Sequence, residues 1–128
     1  MLKKIGYAFL LASSVISSAS FAMKNYSFQV GSGYEYSLPP NEPVVFSNVF
    51  MWQVKANCTI ISDMENNPIS FKVLKKSGSI NETPLSPGDE MRVIAHPNDV
   101  FYIIAASGAK VELLNHSKTP IIARCAAA

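Results

Sequence analysis

The chain has 128 residues, 48% of them hydrophobic and 16% charged, with a formal net charge of +2. This length supports one domain, near the commonest domain size. No stripe of Lys or Arg occurs, the densest run being Lys72, Lys75 and Lys76, so nucleic acid and anionic membrane surfaces make poor partners.

Residues 1–22 read as a secretory signal peptide. Lys3 and Lys4 form a basic start, residues 5–16 are mostly apolar, and Ser20-Phe21-Ala22 places small residues three and one positions before a cut. The segment is too short and wrongly flanked for a stable membrane anchor. Two of the eleven Lys and Arg lie in it, which leaves nine basic and nine acidic side chains over residues 23–128 and a net charge of zero. The expected product is one β-sandwich domain over 23–128, exported to the periplasm or beyond the cell.

In chain order, residues 26–30 (YSFQV) predict a first strand, turned by Gly31-Ser32-Gly33. Residues 34–38 predict a short edge strand, stopped by Pro39, Pro40 and Pro43. Residues 44–46 start again and lead past Ser47-Asn48 into residues 50–61 (FMWQVKANCTII), the longest alternating stretch. One face of that alternation carries Phe50, Trp52, Val54, Ala56, Cys58 and Ile60, so Trp52 is expected inside. Residues 62–68 are a polar loop, and Ile69, Phe71 and Val73 alternate with Ser70 and Lys72. Residues 77–88 make a long connection with a brief extended piece at Ser79-Ile80. Residues 91–95 alternate, Pro97-Asn98-Asp99 turns, and residues 100–106 (VFYIIAA) are apolar on both faces and so interior. Ser107-Gly108 turns into residues 110–114, and residues 115–118 turn into the final strand, where Ile121, Ala123 and Cys125 share a face. Eight or nine short strands with turns between them, and no helical period after residue 22, predict an antiparallel β-sandwich, immunoglobulin-like or jelly-roll-like.

Two cysteines in an exported chain predict one disulfide, Cys58–Cys125. The alternative of a catalytic thiol wants an electropositive, partly open setting and a histidine base, whereas Cys58 falls on the Trp52/Val54/Ile60 face.

Chemistry beyond the scaffold is sparse. His96 and His116 lie in turns or strand ends without metal-ligand spacing and read as solvated surface groups. Asp63 and Glu65 lack the ligand-rich pattern of a calcium loop. No phosphate loop and no nucleophile elbow occurs. We therefore expect no enzyme, no cofactor and no metal, and instead a protein that binds a macromolecule or glycan.

Leu85, Pro87-Gly88-Asp89, Ser107-Gly108-Ala109-Lys110-Val111, Leu113, Asn115 and Ala123-Arg124-Cys125 together resemble small uncharacterised exported β-sandwich proteins of Gram-negative bacteria, some of them released by pathogens. Ala106-Ser107-Gly108-Ala109-Lys110 also resembles the Ala-Ser-Gly-Ala-Arg loop of periplasmic C-type lysozyme inhibitors. That resemblance implies a loop entering the lysozyme cleft, with Ser107 and Lys110 meeting its acidic catalytic groups. It stops short of the family's pattern, for Val111 stands where the family has Tyr. The other reading of the same residues is a Ser-Gly hairpin turn between two core strands.

Overall fold

The computed structural model describes residues 24–128, and the expected export signal lies outside them. The described residues form eleven strands: β1 (Lys24–Ser27), β2 (Gly31–Leu38), β3 (Pro43–Ser47), β4 (Val54–Ile61), β5 (Asn67–Lys75), β6 (Gly78–Ile80), β7 (Thr83–Leu85), β8 (Glu90–Ala95), β9 (Val100–Ala105), β10 (Lys110–Asn115) and β11 (Ile121–Ala127). This exceeds the expected eight or nine. The excess comes chiefly from the connection over residues 77–88, which folds into the β6–β7 hairpin. Its two-residue loop, Asn81-Glu82, has φ of 48° and 71° at both positions, the backbone that a tight hairpin of matching twist requires.

Six strands pair in the order β2-β11-β4-β9-β6-β7, and five in the order β1-β3-β10-β5-β8. All neighbours are antiparallel except β1, which runs parallel to β3. Apart from the β6–β7 hairpin, each successive strand crosses to the opposite sheet. Removing β1 and that hairpin leaves β2-β11-β4-β9 facing β3-β10-β5-β8. This is the strand order of a jelly roll, two interleaved Greek keys, and it decides between the two sandwiches that the sequence allows.

The inner faces follow from alternation. Val54, Ala56, Cys58 and Ile60 of β4 and Phe101, Ile103 and Ala105 of β9 are buried, against Ile69, Phe71 and Val73 of β5 and Val111 and Leu113 of β10. Each large side chain of this kind stabilises by roughly 1.5–3 kcal/mol on leaving water. Tyr26, Tyr36 and Phe46 close one side of the core, with ring centroids 5.1–5.4 Å apart. The interior holds a small apolar cavity of about 30 Å³, too small and too apolar to hold a ligand.

Cys58 and Cys125 are joined. They sit directly opposite in the β4–β11 ladder, with Cα atoms 4.0 Å apart, the close spacing of a non-hydrogen-bonded antiparallel pair. An immunoglobulin disulfide ties two sheets together; this one staples two strands of one sheet.

Two turns are built alike. In Ser86-Pro87-Gly88-Asp89 and His96-Pro97-Asn98-Asp99, the fourth N–H donates to the first carbonyl at 2.9 and 3.0 Å. The third residue has φ of 92° at Gly88 and 72° at Asn98. Proline then a left-handed residue is the chemistry of a type II turn. The Asp89 and Asp99 carboxylates close each turn by accepting from the first N–H at 2.9 and 2.8 Å.

One expectation is corrected. The central strand begins at Val54 and not at Phe50, and Trp52 is 55% exposed. The backbone from Asn48 to Gln53 is held in a loop, as described next, and it is Phe50 that turns back onto the core.

Candidate functional site

Three buried asparagines stand where strands meet loops. Asn67 donates to the carbonyls of Met64 and Ala95 and accepts from Ser62. Asn115 donates to the carbonyls of Leu38 and Thr119 and accepts from Ser117. Both tie down loops at one end of the sandwich. Asn48 does the same at the other end. Its side-chain amide donates to the carbonyls of Trp52 at 2.9 Å, Ala105 at 3.0 Å and Ala106 at 3.1 Å, and its Oδ1 accepts from the Phe50 N–H at 2.9 Å. A buried amide this fully satisfied fixes the loop it serves.

That loop, residues 48–53, lies against the turn that joins β9 to β10. The Asn48 N–H donates to the Ala109 carbonyl at 2.9 Å and the Gly108 N–H to the Asn48 carbonyl at 3.0 Å. The turn itself is closed by the Ala109 N–H on the Ala106 carbonyl at 2.9 Å. Its third residue is Gly108, at φ of 78°, a conformation that side chains other than glycine adopt at a cost.

The pinned loop presents an apolar tip. Val49 is 65% exposed, Met51 91% and Trp52 55%. Phe50 anchors it from below, half-buried, with its ring stacked on Trp52 at a centroid distance of 4.8 Å. Exposed apolar residues scattered singly are ordinary, whereas three on one short loop make this tip the candidate site. Lysines stand beside it. Lys76 lies along Gly108, its Cε 3.6 Å from where a β-carbon would project. Lys75 and Lys110 are cross-strand partners at the same end. The one ion pair among the described residues is Arg124–Glu35, so all three amines are without a salt-bridge partner.

The sequence-derived candidates fall here in part. Ser107 is exposed, but its hydroxyl donates to the Phe50 carbonyl at 2.8 Å, so it supports the tip. Lys110 opens β10, exposed, beside a bulge in the β10–β5 ladder. The alternation of residues 50–61 runs back through the tip and masks it. The signal lay in residues 49–52, VFMW. Four large apolar residues in succession occupy both parities, which no half-buried strand at a sheet end needs.

Of the two histidines, His96 lies on the surface as expected and His116 does not. His96 is exposed, with Nδ1 2.8 Å from the Glu65 carbonyl. His116 is half-buried, with Nε2 2.8 Å from the Ser70 Oγ. The Ser–His contact is set into the five-stranded sheet. Ser70 lies mid-strand, buried, on the outer face of the five-stranded sheet, where β10 and β8 flank β5 on both sides. No carboxylate bonds the histidine, and the ladder occupies the N–H groups that an oxyanion would require. Among the described residues no group of three or more His, Cys, Asp or Glu could hold a metal ion, and no helix is long and apolar enough to cross a membrane.

No protein-family model, curated protein or solved structure gives a significant match to the chain.

Proposed function

We propose that this protein is an exported, non-catalytic binding protein that docks a macromolecular partner on the Val49/Met51/Trp52 tip. The observation that carries the reading is the exposure of three large apolar side chains on a loop fixed by Asn48. Holding the tip in one conformation reduces the ordering cost on association. Trp is prominent among residues that dominate binding energy, and lysines at the rim favour a partner whose contact surface is acidic around an apolar centre. The disulfide supports export, since such bonds persist in oxidising compartments.

The experiment is capture with residues 23–128 from bacterial-envelope and host-cell extracts, followed by titration of the purified partner. Trp52→Ala should weaken binding by about thirty-fold or more, and Met51→Asp should abolish it, both with the fold unchanged by circular dichroism. Equal affinity for the wild type and both variants would sink the proposal.

A second reading keeps the periplasmic lysozyme inhibitor. Ser107, exposed in its turn, with Lys76 and Lys110 at its side, supports it. Charge-assisted bonds to two acidic groups contribute about 1.5–3 kcal/mol each. Lys110→Ala should then weaken inhibition of C-type lysozyme by roughly ten- to hundred-fold. Full lysozyme activity at micromolar protein removes that reading and leaves the first untouched.

A further inference from the structure

The outer face of the six-stranded sheet carries a second feature, lined by none of the tip residues. Ala126 of β11 lies opposite Asn57 of β4, and Asn57 opposite Tyr102 of β9. All three project outward, by alternation from the buried Cys125, Cys58 and Phe101. On one side of this row the chain is small: Ala126 and Ala127 on β11, and Gly31, which pairs with Ala127, on β2. On the other side stand the longer side chains Asn57, Tyr102 and Lys55. Low residues beside tall ones on a twisted sheet leave a shallow groove that is wide open to solvent.

Its polar groups are idle. Arg124 is paired with Glu35, and Asn48, Asn67 and Asn115 each satisfy backbone groups. The Asn57 amide, the Lys55 amine and the Tyr102 hydroxyl have no partner in the protein, and all three border the groove. The Tyr102 backbone is fixed, its N–H donating to the Asn81 Oδ1 at 2.8 Å.

We propose that this groove binds a neutral oligosaccharide. A pyranose ring has an apolar C–H face and an equatorial rim of hydroxyls. An aromatic ring with its negative π face suits the first. A side-chain amide, which both donates and accepts, and an amine suit the second. The floor of Gly31, Ala126 and Ala127 lets the sugar approach the sheet. An anionic ligand would want a clustered basic site, and the groove offers the single amine of Lys55. The inference is independent of the partner proposed for the tip.

The test is heteronuclear NMR of the labelled protein titrated with neutral trisaccharides of glucose, of mannose and of N-acetylglucosamine. At least one should shift the Asn57 side-chain amide together with Tyr102, Ala126 and Ala127. Asn57→Ala should weaken that sugar about ten-fold. Ala126→Leu, a change at an exposed position that fills the groove, should abolish binding without altering the melting temperature. Trp52→Ala should leave sugar binding intact, which separates this site from the tip. Absence of shifts with all three sugars overturns the proposal, as do shifts centred on Trp52 that Trp52→Ala removes and Ala126→Leu does not.

Discussion

Asn48→Ala is the most informative single perturbation of this molecule, because one side chain joins the core to the proposed contact surface. It removes three donor bonds and one acceptor bond. The bond to Ala105 is buried, and leaving that carbonyl short of its partner costs about 1–3 kcal/mol. The other three are partly open, so water replaces them at about 0.5 kcal/mol each. The expected loss is about 3 kcal/mol, a fall in melting temperature on the order of 12–15 °C for a domain of this size. Urea denaturation gives the free energy, and Trp52 fluorescence reports the tip directly. Asn48→Asp separates the amide's role from its volume: it keeps the acceptor for Phe50 and sets a carboxylate against three carbonyls, so it should be at least as damaging. Partner affinity should fall in both variants although Asn48 itself is buried. A stability loss below about 1 kcal/mol with unchanged affinity would refute the account of Asn48 as the device that fixes the tip.

Reducing Cys58–Cys125, which spans 67 residues, should cost about 4 kcal/mol on the loop-entropy account; intact mass with alkylation before and after reduction checks the bond, and two alkylatable thiols in native protein would disprove it. Glu82→Gly should stabilise by about 0.5 kcal/mol in thermal melts, since the residue sits at φ of 71° in a turn that favours Asn-Gly. Tyr36→Phe should reduce sensitivity to alkali. Burial pushes the Tyr36 phenol above its ordinary pKa, against the opposing bond from the Gln29 N–H. Stability from a raised pKa is complete below the unfolded value of about 10 and falls as pH rises through the folded one, because the unfolded chain loses its proton first. A wild-type and variant that lose stability in parallel above that pH would assign the effect elsewhere.

Much of the scaffold was legible locally. Alternation at Val54 to Ile60, Ile69 to Val73 and Phe101 to Ala105 reports one buried face per strand, because a strand's side chains alternate whatever its partners. Pro87-Gly88-Asp89 and Pro97-Asn98-Asp99 announce their turns through backbone preferences that act within four residues. Cys58 and Cys125, alone in the chain, could pair only with each other or not at all. Tertiary structure decided what depends on distant partners. Sheet order is set by which faces bury one another, so the jelly roll emerges only when successive strands are seen to cross between sheets. Trp52 looks like core because period two runs back through it. Whether a strand continues depends on what its backbone bonds, and at residues 48–53 Asn48 takes those groups, using the carbonyls of Ala105 and Ala106 from the far side of the chain. The groove at Asn57 and Tyr102 was hidden for the same reason. Its residues lie on separate strands, and only the register of β11, β4 and β9 sets them side by side.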